Sequence, residues 1–224
     1  MAGADAHKIL SVLRMRAGDH IEAIDSAART FDARIHVEGK TVHAELISAY
    51  PQTDEPVVHV TLAQAVPKAQ KMDFIVEKCT ELGASAFVPF LSERTISDGV
   101  SENKLERWKR IAKTAAMQCA RETVPTVAEP LAFKDLALTF PEYDCVLFPW
   151  ELAPRVPVRE RLEQALTGAA RVLVLIGPEG GFSHAEAALA QDAGAQIVWL
   201  GPRILRTETA GMTVLAFVNL LTGG

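Results

Sequence analysis

The pattern of hydrophobic and polar positions differs between two parts of the chain. From about residue 57 onward, short apolar runs alternate with segments whose apolar positions recur every three to four residues, which is the spacing of an amphipathic helix. The apolar runs predict strands at 57–66, 86–91, 143–149, 172–177 and 196–200. The clearest helical patterns cover residues 72–82, 105–119 and 210–221, and Gly83 stands where a helix C-cap is expected. This alternation predicts an α/β domain with a largely parallel sheet covered on both faces.

The first fifty residues follow a different pattern. Residues 19–24, 30–37 and 41–47 alternate apolar with polar positions, which predicts short strands in a small β-barrel or meander. The polar, proline-bearing stretch 50–56 favours neither a helix nor a central strand and is the best candidate for a linker. We therefore predict two domains, residues 1–53 and residues 57–224.

Composition narrows the class of protein. Hydrophobic residues make up 49% of the 224 positions and charged residues 23%, as in an ordinary globular protein. No apolar run approaches the roughly 18 to 20 residues that span a bilayer, and the N-terminus has no signal-peptide pattern, so we expect a cytoplasmic protein without a membrane partner. Cys79, Cys119 and Cys145 lack the spacing of metal ligands, which predicts reduced core residues and no metal site.

Charge gives conflicting indications about a nucleic-acid partner. The formal net charge of −5 argues mildly against one, because phosphates are normally met by a basic surface. Residues 103–122, however, hold six basic side chains against Glu106 and Glu122. The six are Lys104, Arg107, Lys109, Arg110, Lys113 and Arg121. They predict either a positive face that contacts nucleic acid or a solvated helix surface.

The strongest local motif is VLVLIGPEGGFS at residues 172–183. An apolar strand runs into a Gly/Pro loop, and Ser183 with Glu186 has the spacing of a capping box that begins a helix. A loop after a parallel strand is where α/β sheets bind small molecules, so the motif predicts a ligand loop. The alternative is a tight turn whose glycines serve geometry alone. Neither the GxGxxG nor the GxxxxGK[ST] pattern is present, which argues against a dinucleotide or nucleoside triphosphate site.

Two further motifs concentrate charged residues. The segment LGPRILRTETA at 200–210 places Arg203, Arg206 and Glu208 just before an apolar helix, although Thr207 could be only an N-cap and Glu208 only a first-turn acid. In KMDFIVEKCTELG (71–83) and SERT (92–95), the basic residues Lys71, Lys78 and Arg94 could hold phosphates or simply be solvated.

Together these blocks resemble the RsmE family of 16S rRNA uridine-N3 methyltransferases. VLRMRAGD (12–19), the three motifs above and QCAR (118–121) occur in the family's order along nearly the whole chain. The resemblance implies an N-terminal PUA-like β-barrel that binds RNA and is short at its N-terminal end. It also implies a SPOUT domain whose last strand and helix form a trefoil knot around S-adenosyl-L-methionine. The implied protein is a homodimer that methylates 16S rRNA, either free or within the small ribosomal subunit.

The resemblance also assigns residues to the cofactor. It places S-adenosyl-L-methionine among three loops that follow strands. Their residues are Leu147, Phe148, Pro149 and Trp150; Ile176, Gly177, Pro178, Glu179 and Gly180; and Leu200, Gly201, Ile204, Leu205 and Arg206.

The implied reaction needs help at the uridine, because N3 carries a proton and is a poor nucleophile near neutral pH. Our hypothesis is that Arg206 or Arg203 stabilises the uracil anion and that Glu208 or Glu179 accepts the proton. The candidates for RNA phosphate contact are the basic residues of the resembling blocks and of the basic segment. They are Arg14, Arg16, Lys71, Arg94, Arg110 and Arg121.

Two rival functions stay open. The chain could be another SPOUT methyltransferase that acts on transfer RNA or on a ribose hydroxyl, because the target base rests on resemblance alone. It could instead be a non-catalytic RNA-binding or ribosome-assembly protein, which predicts decayed cofactor loops. The loops at 176–183 and 200–210 are intact, and this favours an enzyme.

Overall fold

The computed structural model describes residues 4–24, 30–39, 41–49, 57–96 and 99–223. The linker predicted at 50–56 lies outside them. The chain divides into two compact units, Met1–Thr53 with Ala120–Glu122, and Asp54–Cys119 with Thr123–Gly224.

The first unit contains a short antiparallel sheet. Helix α1 (Ala4–His7) continues into a π-helical turn (Lys8–Val12), and strands β1 (His20–Ile24), β2 (Thr30–Glu38) and β3 (Thr41–Ala49) follow. The strands pair in the order β1-β2-β3, which is a meander. Ile35 and Val42 are buried in its small core. The predicted strands and the meander alternative agree with the structure, while the PUA-like barrel stays a prediction.

The second unit alternates strands with helices, as predicted. Its elements are β4 (His59–Ala65), α2 (Lys71–Glu81), β5 (Ala86–Leu91), α3 (Glu102–Gln118), β6 (Thr126–Val127), β7 (Leu131–Ala132), α4 (Phe133–Leu138), a 3-10 turn (Phe140–Glu142), β8 (Cys145–Pro149), α5 (Val158–Leu166), β9 (Arg171–Ile176), α6 (His184–Asp192), β10 (Gln196–Val198) and α7 (Thr207–Thr222). The sequence pattern missed β6 and β7, because two residues are too few to show a period.

The sheet of this unit has seven strands. Their order is β10-β8-β9-β4-β5-β6, and β7 pairs with β5 beyond the end of β6. Every strand pair that the described residues form in this sheet is parallel. The predicted α/β class with a mostly parallel sheet is therefore confirmed.

Apolar cores cover both faces of this sheet. Along β9, Val172 and Val174 point into one core, and Leu173 and Leu175 point into the other. Helices α2, α3, α5 and α7 contribute to the first core, and α4 and α6 contribute to the second. A strand buried on both sides needs apolar residues at every position, which explains the uninterrupted run at 172–176.

Local signals at helix ends agree with the structure. The Ser183 hydroxyl accepts a hydrogen bond from Glu186 N–H, and the Glu186 carboxylate accepts one from Ser183 N–H, so the capping box is present. Gly83 follows the end of α2 with a φ of +89°, a conformation that glycine adopts without strain. In the part of the chain that is described, no helix combines the length and apolarity needed to cross a membrane.

Cys79 and Cys145 are buried in the core, as predicted, whereas Cys119 at the end of α3 is only partly buried. Burial raises the pKa of Cys79 to about 12 and the pKa of Cys145 to about 11, so both are neutral thiols near pH 7.

Helix α7 lies close to β4 and α2 because Gly211 has no side chain. A Cβ at this position would lie 3.3 Å from Leu62 Cδ2 and 3.7 Å from Cys79 Sγ. Both neighbours are fully buried, so they have little room to move.

We expect Gly211→Val to lower the free energy of unfolding by about 1–3 kcal/mol through overpacking. Intrinsic helix propensity favours valine over glycine, so a loss can arise only from crowding against the sheet. The control is Ala216→Val on the exposed side of the same helix, which should cost only roughly half a kcal/mol. Urea unfolding followed by circular dichroism measures both, and a loss for Gly211→Val no larger than that of the control would contradict the close approach.

Candidate active site

A cavity of about 800 Å³ lies at the carboxyl ends of β8, β9 and β10. Its walls come from the segments that follow these strands, within 149–155, 176–182 and 199–207, together with Lys71 of α2 and Ala210 of α7. Ligands of parallel sheets bind at this edge, because the loops after neighbouring strands converge there. The three loops named from the sequence are therefore brought together.

The turn after β9 is compact and faces the cavity. Gly181 N–H donates to Pro178 O at 2.9 Å, and Gly181 has a φ of +66°. A Cβ on Gly177 would lie 3.1 Å from the ring of Phe182, so the glycine allows that ring to pack beneath the turn. The ring centroid of Phe182 lies 4.2 Å from that of Phe148 in the core. The glycines thus shape a rigid turn that also forms a wall of the cavity.

Thr207 joins the N-terminus of α7 to two strands. Its hydroxyl donates to Gly177 O at 2.6 Å and accepts a hydrogen bond from Gln64 Nε2 at 2.9 Å. Gln64 is fully buried in β4, and its amide also donates to Ala65 O. The N-cap of α7 is Arg206, so the alternative in which Thr207 is only an N-cap is wrong. In the sequence, the only indication of this contact is Gln64, a long polar side chain within an otherwise largely apolar strand.

Lys71 lies between two carboxylates. Its Nζ is 3.0 Å from Glu179 Oε1 and 3.3 Å from Glu208 Oε2. On the far side of Glu208, Oε1 is 3.9 Å from Arg206 Nη1. Lys71 and Glu179 line the cavity, whereas Glu208 is not part of the lining and lies behind Lys71. Two acids and two cations therefore balance one another in this region.

The ionisation of this cluster follows from its contacts. The hydrogen bond to Glu179 raises the pKa of Lys71, which partial burial opposes and Glu208 reinforces. Burial alone would raise the pKa of Glu179, but hydrogen bonds from its own N–H, from Lys71 and from Lys68 N–H outweigh burial and hold that pKa below its ordinary value. Near neutral pH, Lys71 is an ammonium and Glu179 a carboxylate.

Most residues that the resemblance assigned to the cofactor line this cavity. They are Pro149, Trp150, Ile176, Gly177, Pro178, Glu179, Gly180, Leu200, Gly201, Ile204, Leu205 and Arg206, and Arg203 lines it as well. Leu147 and Phe148 do not, because successive side chains of β8 enter the cores on opposite faces of the sheet. Sequence reasoning missed Glu151, Leu152 and Arg155, which follow β8 without a recognisable motif.

The family is shown by comparison with known proteins. The model of the RNA methyltransferase domain family matches residues 53–219. The chain belongs to this family. It is 32% identical to the ribosomal RNA small subunit methyltransferase E of Bacillus subtilis, over 99% of this chain and 90% of that protein.

Two further relatives of this RNA methyltransferase carry the same name. The Synechocystis protein is 37% identical over 97% of this chain and 71% of its own length. The crystal structure of the ribosomal RNA small subunit methyltransferase E of Neisseria gonorrhoeae bound to S-adenosyl methionine matches with a TM-score of 0.81 and 30% identity, covering 97% of this chain and 89% of that one. The likeness therefore extends over both units of the chain.

The six phosphate candidates of this methyltransferase lie in different surroundings. Arg14 and Arg16 are exposed in the first unit, to which Arg121 also belongs. In the second unit, Arg110 is exposed on α3, and its Nε lies 3.4 Å from Glu106 O. Lys71 lines the cavity, where its ammonium group is paired with two acids.

The basic segment at 103–122 is less positive than its composition suggests. Arg107 Nη2 lies 2.6 Å from Asp73 Oδ2, and Lys109 Nζ lies 2.8 Å from Glu106 Oε1. The Arg107–Asp73 pair joins α3 to α2. A count of charges within residues 103–122 could not include Asp73.

Arg94 contacts the β9 turn directly. Its Nη1 donates to Gly180 O at 2.8 Å. Beside it, Glu93 N–H donates to Glu186 Oε1 at 2.9 Å, while the other oxygen of the buried Glu186 carboxylate accepts from Ser183 N–H. The SERT segment is therefore fastened to the glycine turn and to the start of α6.

We expect Thr207→Val to lower the free energy of unfolding by about 1–3 kcal/mol, because the substitution leaves Gly177 O without its partner and removes one acceptor from buried Gln64. Thr207→Ser keeps the hydroxyl and should lose less. Urea unfolding followed by tryptophan fluorescence compares them, since Trp150 and Trp199 line the cavity. Equal losses for the two variants would show that the hydroxyl contributes nothing.

Proposed function

We propose that this protein transfers a methyl group from S-adenosyl-L-methionine to N3 of a uridine in 16S ribosomal RNA. The observation that carries the proposal is the cavity at the ends of β8, β9 and β10, because it is built from the three loops that the resemblance assigns to the cofactor. The relatives named ribosomal RNA small subunit methyltransferase E, one of them bound to S-adenosyl methionine, support the choice of cofactor and RNA.

The cavity fits a cofactor of this size. Its volume of about 800 Å³ lies within the usual range for small-molecule sites, roughly 300–1,000 Å³. Ile176, Leu200 and Leu205 supply apolar wall, and the buried Trp150 Nε1 has no hydrogen-bond partner among the described residues. An indole N–H without a partner is a donor that a ligand can use. When bound, the cofactor supplies an electrophilic methyl group on a sulfonium.

The proton and the electron pairs that move during methyl transfer determine which groups the cavity must supply. The N3 proton goes to a carboxylate, the N3 electron pair forms the bond to the methyl carbon, and the electron pair of the broken carbon–sulfur bond stays on sulfur. Glu179 is the favoured acceptor of the proton, because it lines the cavity and is ionised near neutral pH, and Glu208 is the alternative. Arg203 and Arg206 line the cavity with exposed side chains, so either can approach the uracil oxygens.

The remaining expectations belong to this proposal as well. Arg14, Arg16, Arg94, Arg110 and Arg121 are proposed to contact RNA phosphates, and the first unit is proposed to be a PUA-like RNA-binding domain. The chain leaves β10 at the sheet edge and then packs α7 against β4 and β9, an arrangement that supports the proposed trefoil knot. The proposed homodimer rests on the family resemblance and on the apolar sequence of α7.

We expect saturable binding of S-adenosyl-L-methionine by the purified protein in isothermal titration calorimetry. Gly180→Trp should weaken it by about tenfold or more, because an indole cannot fit against Arg94 without distorting the cavity wall that Gly180 forms. Gly180→Ala is the matched smaller change, since its Cβ would lie 3.3 Å from Arg94 Cβ and 3.9 Å from Arg94 O. Failure of the folded wild-type protein to bind would overturn the enzyme reading and favour a non-catalytic RNA-binding protein.

The methylated product identifies the target atom. After incubation with cofactor and small ribosomal subunits lacking the modification, nucleoside analysis of the 16S rRNA should show 3-methyluridine. Free 16S rRNA serves as the second substrate and tells whether the assembled subunit is needed. A ribose-methylated uridine, or methylation of transfer RNA only, would overturn the proposal in favour of a different RNA methyltransferase.

A further inference from the structure

We propose that Lys71 is a catalytic residue that stabilises the uracil anion formed when N3 loses its proton. This inference rests on the proposed function and deepens it, because neither the comparisons nor the sequence motifs give Lys71 a role at the reacting base. The resembling blocks suggested a phosphate contact instead. The position of its ammonium group on the cavity wall carries the new assignment.

Two acids hold the Lys71 ammonium at the N-terminus of α2, a position that the helix dipole makes unfavourable for a positive charge. Lys71 is the first residue of α2, and a positive charge at a helix N-terminus is opposed by the helix dipole. Two carboxylates compensate, Glu179 Oε1 at 3.0 Å and Glu208 Oε2 at 3.3 Å from Nζ. Lys78 of the same helix also pairs with two acids, but both belong to α2 itself. The acids of Lys71 come from the β9 turn and from α7, so they fix its ammonium at the cavity.

The backbone before Lys71 is fastened to the same turn. Lys68 N–H donates to Glu179 Oε1 at 3.1 Å, and Ala69 has a left-handed φ of +55°, which a residue with a side chain rarely adopts. The Glu179 carboxylate thus binds both the backbone and the side chain of the segment 68–71. The β9 turn and the start of α2 are joined through one carboxylate.

Glu208 has a different role from Glu179. Its Oε2 is buried behind Lys71 and accepts no well-directed hydrogen bond within the described part of the chain. A substrate in the cavity meets Lys71 before it meets Glu208. Glu208 is therefore a positioning residue that keeps the ammonium charged and in place, while Arg206 lies on its other side at 3.9 Å.

Charge decides which reactant the ammonium can assist. Hydrogen bonding to Glu179 raises the pKa of Lys71, so the group stays protonated near neutral pH and cannot be the base. A permanent cation attracts the anionic uracil oxygens as they develop charge, and it repels a sulfonium. Besides Lys71 and Glu179, the charged groups of the lining are Glu151, Arg155, Arg203 and Arg206.

The test compares Lys71→Met, Lys71→Arg and Lys68→Met. Lys71→Met removes the charge but keeps a long chain, Lys71→Arg keeps the charge, and Lys68→Met is the matched control on a neighbouring exposed lysine whose backbone N–H remains. Single-turnover methylation is measured from pH 6 to pH 9 at saturating RNA and cofactor. Affinities for S-adenosyl-L-methionine and for RNA are measured separately by titration at several salt concentrations.

We expect Lys71→Met to lose about 100-fold in rate near neutral pH, as removal of one anion-stabilising group does. The deficit should shrink as pH rises, because uridine then ionises without help, and Lys71→Arg should recover part of the rate. Both affinities should stay within about twofold of wild type, a change of less than half a kcal/mol. Lys68→Met should behave as wild type.

Other outcomes would overturn the role of Lys71. A cofactor affinity about tenfold weaker would make Lys71 a cofactor-binding residue. Weaker RNA binding with a flatter salt dependence would make it a phosphate contact after all. A rate deficit equal at every pH would indicate a structural role only. If the wild-type protein formed no 3-methyluridine, the proposed function itself would fail. A defect that appears only in the Lys71 variants would leave the proposed function intact.

Discussion

The hydrogen bonds of Thr207 are the contact on which the candidate site depends. Helix α7 follows the edge strand β10, yet its first residue donates to the carbonyl after β9 and accepts from Gln64 in β4. The segment between β10 and α7 must therefore pass over the carboxyl ends of the strands between them, and this passage closes one side of the cavity. Without that fixed end, the segment at 199–206 would have few constraints, because its own conformation includes no helix or strand.

Electrostatic balance is the second constraint on the cavity. The proposed deprotonation of uridine would need a negative acceptor and a positive stabiliser near each other, and each charge left unpaired in a partly buried site would be costly. In the structure, acids and cations from three separate segments, α2, the β9 turn and the start of α7, pair with one another. Lys71 and Glu179 each favour the ionised form of the other, and the proposed reaction would use both charges.

Local and long-range features differ in how far the sequence revealed them. The capping box of Ser183, the glycine after α2 and the apolar runs of the buried strands depend on neighbours a few residues away, and the structure agrees with these predictions. The partners of Gln64 and Lys71 are more than a hundred residues distant, and no periodicity encodes them. For the same reason, the alternation in β8 that turns Leu147 and Phe148 away from the cavity becomes evident only once both cores are known.

The SERT segment would connect the proposed RNA contact of Arg94 with the cavity wall. Arg94 is exposed and proposed to contact RNA, yet its guanidinium donates to Gly180 O in the cavity wall, while Glu93 N–H is bound to the buried Glu186. A phosphate that attracts Arg94 would compete with the Gly180 carbonyl for the same guanidinium. RNA binding and the shape of the β9 turn would then be energetically linked, and thermodynamic reciprocity requires that a ligand favouring one form of the turn change the affinity for RNA by the same factor.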